Sequence, residues 1–187
     1  MAELIRAEDV EPRRWRNRGG YTRELLVRPA TDPWDMRISV AEIDADGPFS
    51  SFDGVERWMV VIAGDGVALT FSDRERQLAP GDAPICFDGA TAPDCRLLHG
   101  PTRDLNLMLR GRRGAMRPVR SAVAWKEDFA TRGLFAASAG HWTGDGETCD
   151  VPAMTLLWAD HSVGRDWTFE YEKPTEITRA WWLGSTP

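Results

Sequence analysis

Hydrophobic and polar positions alternate with a period of two along much of the chain. In Leu105-Asn106-Leu107-Met108-Leu109-Arg110 the leucines share one face, while Asn106, Met108 and Arg110, with Asp104 just before them, share the other. That pattern predicts a strand with one core face and one wet or ligand-lined face. Met36-Arg37-Ile38-Ser39-Val40-Ala41 repeats it, setting Met36, Ile38 and Val40 against Arg37, Ser39 and Ala41. Side by side, the two strands would make the wall of a barrel lumen.

The punctuation between such runs suits many short strands. Glycine (17) and proline (12) recur between segments rich in Val, Ile, Leu, Thr and aromatics, which predicts an all-β fold. Asp65-Gly66, between the runs 57–64 and 67–71, predicts a tight antiparallel hairpin, because Asp-Gly readily takes positive φ. Pro80-Gly81 predicts a second turn ahead of Ile85-Cys86-Phe87. Past the basic stretch 110–114 the strand pattern resumes at 154–159, 167–171 and 177–183. The expected organisation is a β unit over 1–110 and a second, smaller one over 111–187, with no residue-level repeat relating them.

Composition removes several classes of partner. Lys and Arg total 23 against 29 Asp and Glu, a net charge of -6, which argues against a nucleic-acid binder. Cys86, Cys95 and Cys149 form no C-x-x-C pair and suit free thiols in a reducing cytoplasm. No run approaches the roughly 18 apolar residues that span a bilayer, and the first residues lack an apolar leader. A soluble cytoplasmic protein without a membrane partner is expected. The 9 tryptophans would fill a core layer, and their surplus would suit a homodimer interface.

Common catalytic patterns are missing. His99, His141 and His161 lie far apart, with neither an H-x-H pair nor H-E-x-x-H, so neither a metal nor another cofactor is expected. There is no G-x-S-x-G elbow, no phosphate-binding glycine loop, and Cys86 reads as a core residue whose burial raises its pKa. Gly19-Gly20 reads equally as a bend or bulge and as backbone facing a ligand. Arg37 and Arg57 offer planar forks for a carboxylate, with Glu24 and Asp104 as alternative salt-bridge partners. Asn17 and Thr22, beside the glycines, add directional hydrogen bonding.

These residues fall in an ordered set of motifs. Trp15, Arg16, Asn17, Gly19, Gly20, Thr22 and Glu24 fit W-[KR]-N-G-G-G-x-T-x-E; Trp34, Arg37, Ile38 and Ser39 fit W…R-[IV]-S. Gly47, Pro48, Phe49, Ser50, Phe52, Gly54, Val55, Glu56 and Arg57 fit G-P-F-S-x-[FY]-P-G-[IV]-[DE]-R, and Asp104, Asn106 and Met108 fit D-x-N-x-M. In this the chain resembles the HutD/Ves family. Arg18 stands where that family has the first glycine of its triplet, and Asp53 where it has proline. The resemblance implies a cupin-like double-stranded β-barrel, a bicupin, dimeric and without the cupin histidine cluster. It also implies a regulatory protein of histidine utilisation that senses a carboxylate intermediate such as urocanate or formylglutamate. Arg57 is then the expected anchor, with Arg37, Asn17, Thr22, Ser39, Asn106, Glu24 and Phe49 completing the ligand site. Two other readings stay open: a metal-independent isomerase or lyase using Glu24 or Asp104 as acid and base, and a protein-interaction module using a Trp-rich surface.

Overall fold

The computed structural model describes residues 2–162 and 166–187, and apart from two short 3-10 turns every regular element in them is a β-strand. No helix among the described residues is long and apolar enough to cross a membrane. The chain divides into two units, Val10–Gly111 on one hand and Met1–Asp9 with Arg112–Pro187 on the other. The first nine residues thus fall outside the expected 1–110 unit. The reason is backbone pairing: β1 (Glu3–Arg6) lies antiparallel to the strand Thr155–Ala159, and the Ala7 amide donates to the Met154 carbonyl at 2.8 Å.

The Val10–Gly111 unit contains β2 (Arg13–Arg14), β3 (Gly20–Arg28), β4 (Met36–Ile43), β5 (Gly47–Pro48), β6 (Val55–Gly64), β7 (Val67–Thr70), β8 (Glu75–Leu78), β9 (Ile85–Asp88), β10 (Asp94–Leu97) and β11 (Thr102–Arg110). They form a six-stranded sheet in the order β2-β3-β4-β11-β6-β9 and a four-stranded sheet in the order β5-β10-β7-β8. Ile43, Met59, Val61 and Ile85 from the larger sheet pack with Val67, Leu69, Leu78 and Cys95 from the smaller, so the core lies between two facing sheets.

Two expectations need correction here. The runs on either side of Asp65-Gly66 are both strands, but they do not pair: β6 joins β11 and β9, while β7 joins β8 and β10. Gly64 (φ 89) and Gly66 (φ 97) instead carry the chain from one sheet to the other. A Cβ at Gly64 would stand 2.3 Å from the Pro101 carbonyl oxygen. The closed barrel is likewise replaced by open sheets, each with two edge strands. At β2 and β5, strands of 2 residues each are too short to carry a ladder across the gap.

The other unit adds β12 (Arg113–Pro118), β13 (Thr131–Ala136), β14 (Gly140–Gly144), β15 (Glu147–Val151), β16 (Thr155–Ala159), β17 (Thr168–Tyr171) and β18 (Ala180–Thr186), in sheets ordered β1-β16-β13-β18-β12 and β15-β14-β17. Its core is aromatic. Trp125 stacks on Trp182 at 5.3 Å, Trp167 meets Trp142 edge-on at 4.9 Å, and Arg132, 1% exposed, sits 4.2 Å over the Trp125 ring. Arg132 Nη2 donates to the Trp125 carbonyl at 3.0 Å, which repays part of the cost of burying a cation.

Candidate functional site

Strand register builds the site. In the six-stranded sheet, Arg37 on β4 lies opposite Met108 on β11, Met108 opposite Arg57 on β6, and Arg57 opposite Phe87 on β9. Two residues along, Glu24, Ser39, Asn106 and Met59 form the next row; Thr22, Ala41, Asp104 and Val61 form the third. Opposed residues on neighbouring strands, and residues two apart on one strand, share a face, so the polar members of these rows lie together. That face is the inner face that also carries Ile43, Met59 and Val61 of the core. The opposite face of β11 holds Leu105, Leu107 and Leu109, all buried, as their alternation predicts.

Above the polar rows is a cavity of about 410 Å3, and all eight residues expected at a ligand site line it: Asn17, Thr22, Glu24, Arg37, Ser39, Phe49, Arg57 and Asn106. Arg13, Arg14, Arg16, Asp104 and Met108 line it as well. The first three are exposed, Arg13 and Arg14 on β2 and Arg16 in the turn that follows it. Arg16 belongs to the first motif, whereas Arg13 and Arg14 carry only the signal of a basic run beside the glycines, which periodicity does not distinguish from a solvated surface.

Arg57 is 6% exposed, and its Nε donates to Asn106 Oδ1 at 2.9 Å. Its guanidinium lies 4.4 Å over Phe49 and 5.5 Å over Phe87, while its terminal nitrogens hold no hydrogen bond among the described residues. Burial lowers its pKa to about 10, against the pull of Asp104, so it stays charged at neutral pH. Asn106 is the bridge: its Nδ2 donates to Asp104 Oδ1 at 2.6 Å while its Oδ1 receives Arg57, an arrangement that only one amide orientation satisfies. Asp104 is fully buried, and burial raises its carboxyl to about 6 despite Arg57, Asn106 and the Ala41 amide. Its Oδ2 completes no hydrogen bond.

Arg37 is held differently. Its guanidinium lies between Trp34 at 5.0 Å and Phe52 at 4.8 Å, with Nη1 3.4 Å from Glu24 Oε1 and Nη2 3.0 Å from Met108 Sδ. Burial lowers its pKa and Glu24 opposes the shift. Glu24 also pairs with Arg13 at 3.0 Å. Phe49 and Phe52, from the Gly-Pro-Phe-Ser segment, therefore each cover one cavity arginine.

The hairpin tip resolves the two readings of the glycine pair. Trp15 Nε1 donates to Thr22 Oγ1 at 2.7 Å, the Arg18 amide donates to the Trp15 carbonyl at 3.0 Å, and Asn17 Oδ1 accepts from the Gly19 amide at 3.0 Å. A Cβ on Gly20 would lie 2.1 Å from the Glu42 carbonyl oxygen, so that glycine serves close strand packing. Arg18 takes φ 62, a left-handed conformation in which the family's glycine is at ease.

The remaining candidates lie elsewhere. His99 and His161 are exposed, and His141 pairs across the β14–β15 hairpin with Asp150 at 2.9 Å. Among the described residues no three His, Cys, Asp or Glu side chains are placed to share a metal ion. Cys86 is not a core residue as expected. It faces out from the edge strand β9, its thiol raised to about 11 by partial desolvation and Glu56.

A family model described as HutD matches residues 7–176. The chain is 37% identical over 147 residues to an uncharacterised 21.2 kDa protein in the hutC 3′ region of Pseudomonas putida, covering 73% of this chain and 74% of that one. It is 34% identical over 135 residues to protein Ves of Citrobacter koseri, covering 70% of each. The structure of HutD from Pseudomonas fluorescens SBW25 superposes with a TM-score of 0.85 at 27% identity, over 100% of this chain and 98% of the other. Oxalate decarboxylase of Bacillus subtilis superposes at 0.65 with 10% identity, over 96% of this chain and 76% of that one, a likeness that makes the fold cupin-like and extends no further.

Proposed function

The chain belongs to the HutD family, which is linked to histidine utilisation, and on that premise we propose that it is a non-catalytic receptor for a small carboxylate intermediate of that pathway, such as urocanate or formylglutamate. One observation supports the reading: Arg57 is buried at the cavity floor, and its terminal nitrogens hold no hydrogen bond among the described residues. A charge withdrawn from water needs compensation. The neighbouring carboxylate of Asp104 is separated from it by the Asn106 amide, so the fork stays open toward the cavity for a bidentate anion. Ser39 and Thr22 supply hydroxyls alongside it, and Phe49 limits access of water to the guanidinium face. Occupancy of this cavity is the signal by which the protein would tune the pathway.

The raised pKa of Asp104 favours a second reading, a metal-independent isomerase or lyase, because a carboxyl near 6 can exchange protons at neutral pH. Against it, Oδ1 is already occupied by Asn106 and Oδ2 is shut off from solvent.

Thermal unfolding of the wild type and Arg57→Gln with urocanate or formylglutamate tests the receptor. Ligand at a hundred times its Kd adds about 2.7 kcal/mol, and the variant should lose that gain. Consumption of either acid by the purified protein would instead establish the enzyme.

A further inference from the structure

The charge around the cavity is lopsided. Arg13, Arg14, Arg16, Arg37 and Arg57 line it against two carboxylates, Glu24 and Asp104, in a chain whose net charge is -6. Local partners engage three of the arginines. Glu24 takes both Arg13, at 3.0 Å, and Arg37, at 3.4 Å. Arg14 is bound to Tyr21, donating to its hydroxyl at 2.5 Å and lying 5.1 Å over its ring. Of the three cavity arginines without an ion pair among the described residues, Arg14 is engaged by Tyr21, which leaves Arg57 on the floor and Arg16 at the rim.

These two are held by different parts of the unit. Arg57 stands on β6, in the sheet that forms the floor. Arg16 sits in the turn between β2 and β3, a turn fixed by the Arg18 amide on the Trp15 carbonyl, the Trp15 amide on the Gly20 carbonyl and the Trp15 indole on Thr22. The rim cation is therefore presented by a closed turn. A monoanion bound by Arg57 would leave Arg16 in water and gain nothing from it.

Resting on the receptor reading above, we propose that the cavity selects a small dicarboxylate, one carboxylate seated on Arg57 at the floor and the second reaching Arg16 at the rim. The two contacts differ in strength. The floor contact is desolvated and weakly screened; the rim contact is exposed, so it adds about threefold in affinity and fades as salt rises. Preference for the dianion is thus a property of Arg16, whereas binding as such is a property of Arg57.

Calorimetric titration with glutarate against valerate, and adipate against hexanoate, separates these claims in the wild type, Arg16→Gln and Arg57→Gln. Arg16 is exposed, so its replacement leaves the fold intact. The expected result is that each diacid binds about threefold more tightly than its matched monoacid in the wild type. In Arg16→Gln the diacid falls to the monoacid level while the monoacid is unchanged, and in Arg57→Gln both are lost. Equal affinities for diacid and monoacid in the wild type, or an Arg16→Gln variant that weakens both classes alike, overturns the dicarboxylate assignment and leaves the receptor standing. Binding of neither class to the folded wild type overturns both.

Discussion

Burial raises the Asp104 carboxyl from 3.8 to about 6, and this single residue gives the protein a measurable pH signature. A carboxyl whose folded pKa lies above its unfolded one holds its proton longer in the folded state. The stability it contributes is complete below about 4 and is lost as pH rises through about 6, by an amount on the order of 2–3 kcal/mol. Chemical denaturation of the wild type from pH 4 to 7 should show this loss, and Asp104→Asn, which cannot ionise, should lack that part of the slope. A variant with the wild-type slope would mean that the titrating group is elsewhere. At this scale the site was largely legible: Arg37, Ser39 and Asn106 lie on the polar side of two alternating strands, and the register sets them in adjacent rows. The dependence of Arg57 on Asn106, and of Asn106 on Asp104, was not legible. It requires knowing that β6 and β11 are neighbours, which no local pattern states.

The β2–β3 hairpin shows how much an element depends on its backbone. Arg18, at φ 62, occupies a conformation that costs a side-chain-bearing residue roughly 1 kcal/mol, so Arg18→Gly should gain about 0.5 kcal/mol after the entropy of glycine is offset. Gly20→Ala should do the opposite. Its Cβ would lie 2.1 Å from the Glu42 carbonyl oxygen, an atom of the neighbouring strand that cannot rotate away, and a loss of at least about 2 kcal/mol is expected from urea titration. Because the same turn carries Arg16 and Asn17, that variant should also bind acids more weakly. Local signals placed the turns well, since Gly66 and Gly81 both have positive φ. They failed at strand partnership. Asp65-Gly66 satisfies the chemistry of a hairpin turn, yet the choice between folding back and crossing to a second sheet is made by long-range contacts such as Thr102 Oγ1 with the Gly66 amide at 3.0 Å.

On the scale of the whole molecule, six of the 9 tryptophans lie inside, while Trp15, Trp34 and Trp58 are half-buried. Trp125, Trp142, Trp158, Trp167, Trp181 and Trp182 are all buried, and the large exposed apolar residues described are only Leu4, Val123 and Ile177, so most of the tryptophan count is spent on packing. The placement of β1 is the feature least visible from the chain, because residues 3–6 carry no pattern that names Thr155–Ala159 as their partner. Its contribution can be isolated. Removing residues 2–9 would bare the edge of β16 and delete buried Ala7 with its hydrogen bond to the Met154 carbonyl, at a cost on the order of 2 kcal/mol. Urea unfolding followed by tryptophan fluorescence should then begin earlier, since the Trp125, Trp142, Trp167 and Trp182 cluster belongs to that unit. The cavity is built wholly from residues of the Val10–Gly111 unit, so the acid binding proposed for it should persist in the truncated chain. An unmoved transition would make β1 a passive edge, and loss of acid binding would mean that the two units do not keep their structure separately.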